Sequence, residues 1–217
     1  MALAFGKSKG KAQKTVESYT YKDGENTVRL VGGILARYVY WLKGTNNKDI
    51  PVECLSFDRE KEKFTNKEVD HVPAFFPDKK CSWSYVMMCL DPTDGKLKPI
   101  NLKKKLFEQI MGAAEDGLGD PTNLDTGWDI QFKKVKTGPL AFNIEYTLQV
   151  LKCKNRSLSE DERAAIENAE VKSIDEVYVR PTPADVKNLL ERIVNGGEEE
   201  GEEKELSGAS GEAIKDL

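Results

Sequence analysis

The sequence predicts a mainly β fold: an OB-like small barrel with one inserted helix, then C-terminal helices and a disordered acidic tail. Three observations predict it. From Thr15 to about Cys153 the apolar residues recur mostly with period two, in short runs separated by turn signals. One segment there, Leu102 to Met111, changes to helical spacing. Strands interrupted by a single helix follow the order of an OB-fold. Finally, seventeen of the 18 aromatic residues lie within 1–156, so the strand-rich part is also the part able to pack a core. Alternation alone equally describes another small β-barrel or a sandwich.

The elements follow in order. Thr27 to Leu42 reads as one long strand, or two strands broken at Gly32-Gly33, where paired glycines suit a bulge. Pro51 to Phe57 is a short β-branched candidate. Ser82 to Leu90 is a third strand, ending at Asp91-Pro92-Thr93-Asp94-Gly95, a strong turn. Lys96 to Leu102 returns from it, and Pro99 suits an edge because it has no N–H to give a neighbour. In the helix, Leu102, Leu106, Ile110 and Met111 share a face and Gly117 stops it. Asp129 to Val135 and Ala141 to Val150 alternate around Thr137-Gly138-Pro139 as a hairpin. Beyond the strands, Ser159 and Glu162 form a capping box for a helix to about Ala169. A last helix begins at Thr182-Pro183, carries Val186, Leu189, Leu190 and Ile193 as a stripe, and closes at Gly196.

Charge divides the chain further. Its 217 residues hold 33 Lys+Arg and 37 Asp+Glu, a net −4. Residues 1–156 carry +6, residues 157–195 carry −4 and residues 196–217 carry −6. Four regions follow: a basic N-terminal arm over 1–14, an OB-like core over 15–156, a helical extension over 157–195 and an acidic tail over 196–217. Such asymmetry points to nucleic acid or to an interaction tail. No apolar run approaches the ~18 residues of a membrane span, and the N-terminus lacks the apolar stretch of a secretory signal. Membrane insertion and export are therefore not expected.

Catalytic signatures are absent: there is no P-loop, no G-x-S-x-G, no H-E-x-x-H and no dinucleotide fingerprint. His71 has no nucleophile beside it in sequence. Cys54, Cys81, Cys89 and Cys153 contain no C-x-x-C pair, so a zinc site from His71, Cys54, Cys81 and Cys89 lacks the usual tight ligand spacing. Reduced thiols, no metal, no cofactor and no enzymatic activity are expected. Aromatics interleaved with cations are present instead. Arg37-Tyr38-Val39-Tyr40-Trp41 puts Tyr38 and Tyr40 on one strand face and Arg37 with Trp41 on the other. Phe75, Phe76, Lys79, Lys80, Trp83 and Tyr85 crowd eleven residues, with Trp83 and Tyr85 on one face. Single-stranded nucleic acid is held by such rings beside cations that follow the phosphates. Lys103, Lys104 and Lys105, and Lys133, Lys134 and Lys136, add charge, and Phe142 adds a ring. Many of these aromatics are also expected in the core.

The stretch Lys79-Lys80-Cys81-Ser82-Trp83-Ser84-Tyr85-Val86-Met87-Met88-Cys89-Leu90-Asp91-Pro92, followed by Gly95-Lys96, Lys103-Lys104, Ile110 and Met111, resembles the helix-destabilising single-stranded DNA-binding proteins of tailed bacteriophages. The layout of basic arm, barrel and acidic tail ending Lys215-Asp216-Leu217 is similar as well. The resemblance implies Trp83, Lys79 and Lys80 in a DNA cleft, an arm with Lys7, Lys9 and Lys11 that contacts neighbouring copies, and a tail that recruits phage replication proteins. The zinc subdomain of the best-known members has a Cys-x-x-Cys pair that is absent here, so metal binding is not implied and the geometry of Phe57 to Phe76 stays open.

The expected function is sequence-independent coating of single-stranded DNA in phage replication, recombination and repair, in the cytoplasm of the infected host. Two alternatives stand beside it: a protein-binding adaptor using the Leu189, Leu190 and Ile193 stripe, and an RNA-binding barrel.

Overall fold

A computed structural model describes residues 16–44, 47–140 and 143–196. The expected basic arm, Phe142 and the acidic tail beyond Gly196 lie outside the described residues. The fold is mainly β. Strands β1 (Gly24–Lys43), β2 (Asp49–Glu53), β5 (Ser82–Asp91), β6 (Lys96–Leu102), β7 (Ile130–Lys136) and β8 (Ile144–Leu148) form one antiparallel sheet in the order β6-β5-β1-β7-β8, with β2 also on β1. Strands β3 (Phe57–Asp58) and β4 (Lys63–Phe64) make a separate small hairpin. The helices are α1 (Val72–Phe75), α2 (Lys104–Ala113), α3 (Glu160–Glu167), α4 (Ile174–Val177) and α5 (Pro183–Asn195).

The glycine pair bends β1 without ending it. Its ladder to β5 shifts register between Val31 and Leu35, and Gly32 takes φ 74°, a conformation that favours glycine. One strand thereby serves three partners: β7 through Gly24–Val28, β5 through Arg29–Val39 and β2 through Val39–Lys43.

Among the described residues no ladder joins β6 to β8, so the sheet is open at its two ends. The outward carbonyls of β6 are already taken: the Tyr19 N–H donates to Pro99 O at 2.9 Å and the Tyr21 hydroxyl to Asn101 O at 2.8 Å. Helix α2 leaves β6 directly and lies along β8, where Gln109 donates Nε2–H to Tyr146 O at 3.2 Å and accepts from the Leu148 N–H at 2.7 Å. The helix then ends in one wide turn, Ala114–Leu118, at Gly117.

Among the described residues three apolar clusters hold the structure. Inside the curved sheet, Val28, Leu30, Met87, Cys89, Ile100, Leu106, Trp128 and Phe132 pack together. On the opposite face Val86 and Met88 meet Val31, Leu35 and Leu97 beneath Val171, Ile174, Val177 and Tyr178. Strand β5 is therefore buried on both faces, which explains its unbroken apolar run. The third cluster sits at the far end of β1, where Tyr40, Leu42, Val52 and Leu55 pack on Val72, Val186 and Leu190. The stripe of α5 is spent here: Leu190 is buried and Leu189 and Ile193 pack against the cluster. The docking stripe that an adaptor would present is thus largely inside the protein.

Arginines clamp the late helices to the sheet. Arg156 bridges Asp129 and Glu162, each at 2.7 Å, and Arg180 bridges Glu53 and Glu68 at 3.1 and 2.9 Å. Arg59 pairs with Glu53 and donates to Tyr178 O at 2.9 Å. Among the described residues no helix is long and apolar enough to cross a membrane.

Candidate nucleic-acid interface

Antiparallel pairing sets Tyr38 of β1 opposite Trp83 of β5, so both project from the same sheet face, and Tyr85 follows Trp83 on that face. Trp83 and Tyr85 stack with centroids 4.2 Å apart and planes 24° from parallel. Phe107, from α2, stands 5.5 Å from Trp83 and 5.6 Å from Tyr85. On the other side Tyr38 meets Phe57 at 4.8 Å and Phe64 at 5.0 Å. The result is a row of rings, Phe107, Trp83, Tyr85, Tyr38 and Phe64, carried by α2, two central strands and the β3–β4 hairpin. None of these five is buried, and Phe64 is 53% exposed. Rings of this kind normally sit in the core, so a half-exposed row is the unusual feature of this surface.

Cations border the row. Lys79 and Lys80 are exposed on the stretch that leads into β5, and Lys104 and Lys105 are exposed in the first turn of α2. None of the four is in an ion pair among the described residues. That first turn contains no acid and has no side-chain cap. Lysines there oppose the helix dipole, an arrangement that an arriving anion relieves. Lys104 and Phe107 stand three residues apart within α2, so charge and ring share one side of the helix. Lys103 Nζ also lies 5.9 Å from the Tyr21 ring.

The hairpin contributes an acid. The Tyr85 hydroxyl donates to Glu62 Oε2 at 3.1 Å. Burial first, and Glu62 second, raise the Tyr85 hydroxyl above its ordinary value. Glu62 occupies a left-handed backbone position, φ 49°, between Lys61 and Lys63.

The expected binding residues thus divide. Tyr38, Trp83, Tyr85, Lys79, Lys80, Lys103 and Lys104 lie on or beside one face. Phe75, the last residue of α1, is half-buried against the third cluster. Arg37 is a correction: it is buried on the opposite face with its guanidinium 3.8 Å over the Tyr178 ring, because α4 covers that face. Tyr40 is another: its strand face continues beneath α1 and α5, it is 5% exposed, and its hydroxyl donates to Asp70 Oδ2 at 2.9 Å. Lys134 is occupied by Asp23 at 3.1 Å and mostly covered, since β1 and β8 flank its strand. Phe142 lies outside the described residues.

Sequence reasoning did not single out Phe107 and Phe64, which the structure brings to this face. Phe107 was legible, because it lies one turn beyond Lys103-Lys104 on the amphipathic helix. Phe64 was not, since a two-residue strand carries no periodicity. Among the described residues no group of three or more His, Cys, Asp or Glu side chains is placed to hold a metal ion.

No family model matches the chain. It is similar to the "Probable ssDNA-binding protein" of Escherichia phage T5, with 27% identity over an alignment of 234 positions that covers 91% of this chain and 89% of that protein.

Proposed function

We propose that this protein binds single-stranded DNA without strong sequence preference, with bases on the aromatic row and phosphates along the bordering lysines. One observation carries the reading: Phe107, Trp83, Tyr85, Tyr38 and Phe64 form a half-exposed row, with Lys79, Lys80, Lys104 and Lys105 exposed and in no ion pair among the described residues. Every base has a π-face, so stacking tolerates sequence and contributes ~1–3 kcal/mol per base. Similarity along nearly the whole chain to a phage protein described as single-stranded DNA-binding supports the same reading.

We read the mainly β sheet as an OB-type barrel, a reading supported by the order β6-β5-β1-β7-β8 and by Gln109 of α2 bonding the free edge of β8. The protein acts without catalysis of its own, as one of the helix-destabilising phage proteins, coating DNA during replication, recombination and repair in the host cytoplasm. Neighbouring copies touch through the basic arm, and the acidic tail recruits replication proteins and competes for the lysine-lined face when DNA is absent.

Titration with oligo-dT, the matching ribo-oligomer and duplex DNA at ~50 mM salt tests the reading. Tight binding of oligo-dT, weaker binding of duplex and a loss of affinity with salt of slope ~−0.7 per neutralised phosphate are expected. Failure to bind oligo-dT refutes the proposal, and preference for the ribo-oligomer reassigns the face to RNA.

A further inference from the structure

The β3–β4 hairpin is fixed at its base and lightly held at its tip. At the base Arg59 pairs with Glu53 and donates to Tyr178 O at 2.9 Å. Arg180 donates to Leu55 O at 3.0 Å and to Phe57 O at 3.1 Å, and the Thr65 N–H closes the returning arm onto Ser56 O at 2.9 Å. Phe57 and Phe64 pack ring to ring against Tyr38. The tip, residues 60–63, reaches the sheet through Glu62, whose carboxylate accepts the Tyr85 hydroxyl at 3.1 Å.

Glu62 is unusual in three ways. Its backbone has φ 49°, where the other described non-glycine residues of positive φ are Asn47 and Asn66; asparagine tolerates this region better than glutamate. It is exposed and stands in sequence between Lys61 and Lys63, both exposed and in no ion pair among the described residues, yet its carboxylate goes to a tyrosine. It also sets an anion on the face where half-exposed rings and exposed lysines gather. A DNA phosphate makes the same kind of contact, since its oxygens accept from tyrosine hydroxyls and from lysines.

We infer that the Tyr85 hydroxyl, with Lys61 and Lys63, is a backbone-phosphate subsite, and that Glu62 fills it with its own carboxylate until a DNA strand arrives. The inference rests on the proposed single-stranded DNA reading and adds a contact and a competitor to it. On binding, a phosphate oxygen takes the Tyr85 hydroxyl hydrogen bond, Glu62 leaves, and the tip turns out with its two lysines beside the strand. The base of the hairpin stays, held by Arg59, Arg180 and the ring contacts. Tyr85 then has two uses: its ring remains stacked on Trp83 and its hydroxyl serves the backbone. The strand binds the open tip and must displace the closed one, so the closed population lowers the apparent affinity.

A double-mutant cycle in the full-length protein separates this competition from plain charge repulsion. Oligo-dT is titrated at ~50 mM salt into the parent, Glu62→Gln, Tyr85→Phe and the double variant. Tyr85→Phe keeps the ring and removes the hydroxyl, so it abolishes the contact that Glu62 competes for. Glu62→Gln should tighten binding about threefold in the parent background and give no gain in the Tyr85→Phe background. Equal gains in both backgrounds, or none in the parent, would overturn the inference while oligo-dT binding stands; a parent that binds no oligo-dT removes the reading beneath it as well. Lys61→Ala and Lys63→Ala should each make the salt slope shallower by ~0.7, and unchanged slopes in both would overturn it. A second measurement contains no DNA. Trypsin cleavage after Lys61 and Lys63 should be several-fold faster in Tyr85→Phe than in the parent at equal melting temperature, because the tip has lost its tie to the sheet. Equal cleavage rates would overturn the inference.

Discussion

The side chain of Gln109 stands beside Leu148 as a strand would, accepting its N–H at 2.7 Å while donating to the carbonyl of Tyr146 two residues earlier. A helix thus satisfies the edge that β6 does not reach. Gln109→Ala leaves both backbone groups without that partner, a loss of ~1–3 kcal/mol. Urea unfolding should show a lower midpoint with an unchanged slope. A midpoint within error of the parent would mean that water replaces the amide without loss.

Glu62 places a negative charge on the aromatic face through its bond with Tyr85. Phosphates approaching that face meet it. Glu62→Gln keeps an acceptor and removes the charge, so affinity for oligo-dT should rise about threefold, within the range of one exposed charge interaction. Equilibrium titration at low salt measures it. Weaker binding would show that Glu62 serves the bound state and not the free one.

Arg156 holds the Glu162 carboxyl down to about 2 by its side-chain hydrogen bonds, with the Ser159 N–H helping. The folded value lies below the ordinary 4.5, so the stabilisation is complete above about pH 4.5 and drains away as pH falls toward 2. Both side chains keep partial solvent contact, and screening limits the contribution to ~1 kcal/mol. Glu162→Gln, which preserves the capping box, should lower the melting temperature at pH 7 and converge with the parent near pH 2. A constant gap across that window would assign the effect to packing.

Arg37 and the pair Lys79 and Lys80 separate structure from binding. Arg37→Met removes a buried guanidinium from over Tyr178, so it should change thermal stability and leave the salt dependence of DNA binding unaltered. Lys79→Ala and Lys80→Ala, both exposed, should each reduce the slope by ~0.7 with the melting temperature unchanged. The opposite pattern would move the interface to the other sheet face.

Much of the fold was legible because strands and caps announce themselves locally. Ser82 to Asp91 and Lys96 to Leu102 were bounded by a strong turn, and Thr182-Pro183 with Gly196 fixed α5 at both ends. The elements between Leu55 and Lys80 were not legible, since β3 and β4 have two residues each and α1 has four. The site was half legible for a related reason. Alternation assigned Tyr38 and Tyr40 to one face correctly, but only tertiary packing decides that α1 and α5 cover Tyr40 while Tyr38 stays half-exposed. Arg37 failed likewise: its face was predicted, and its cover, Tyr178 of the late helical region, lies far away in sequence.

The central claim is that bases stack on the ring row at Trp83. Oligo-dT titration followed by tryptophan fluorescence, in the parent and in Trp83→Ala, tests it most directly, because Trp128 is fully buried and Trp41 lies on the opposite strand face. Quenching in the parent, its loss in the variant and a ~5- to 150-fold fall in affinity, equivalent to ~1–3 kcal/mol, are predicted. Unchanged quenching and affinity in Trp83→Ala would contradict the account.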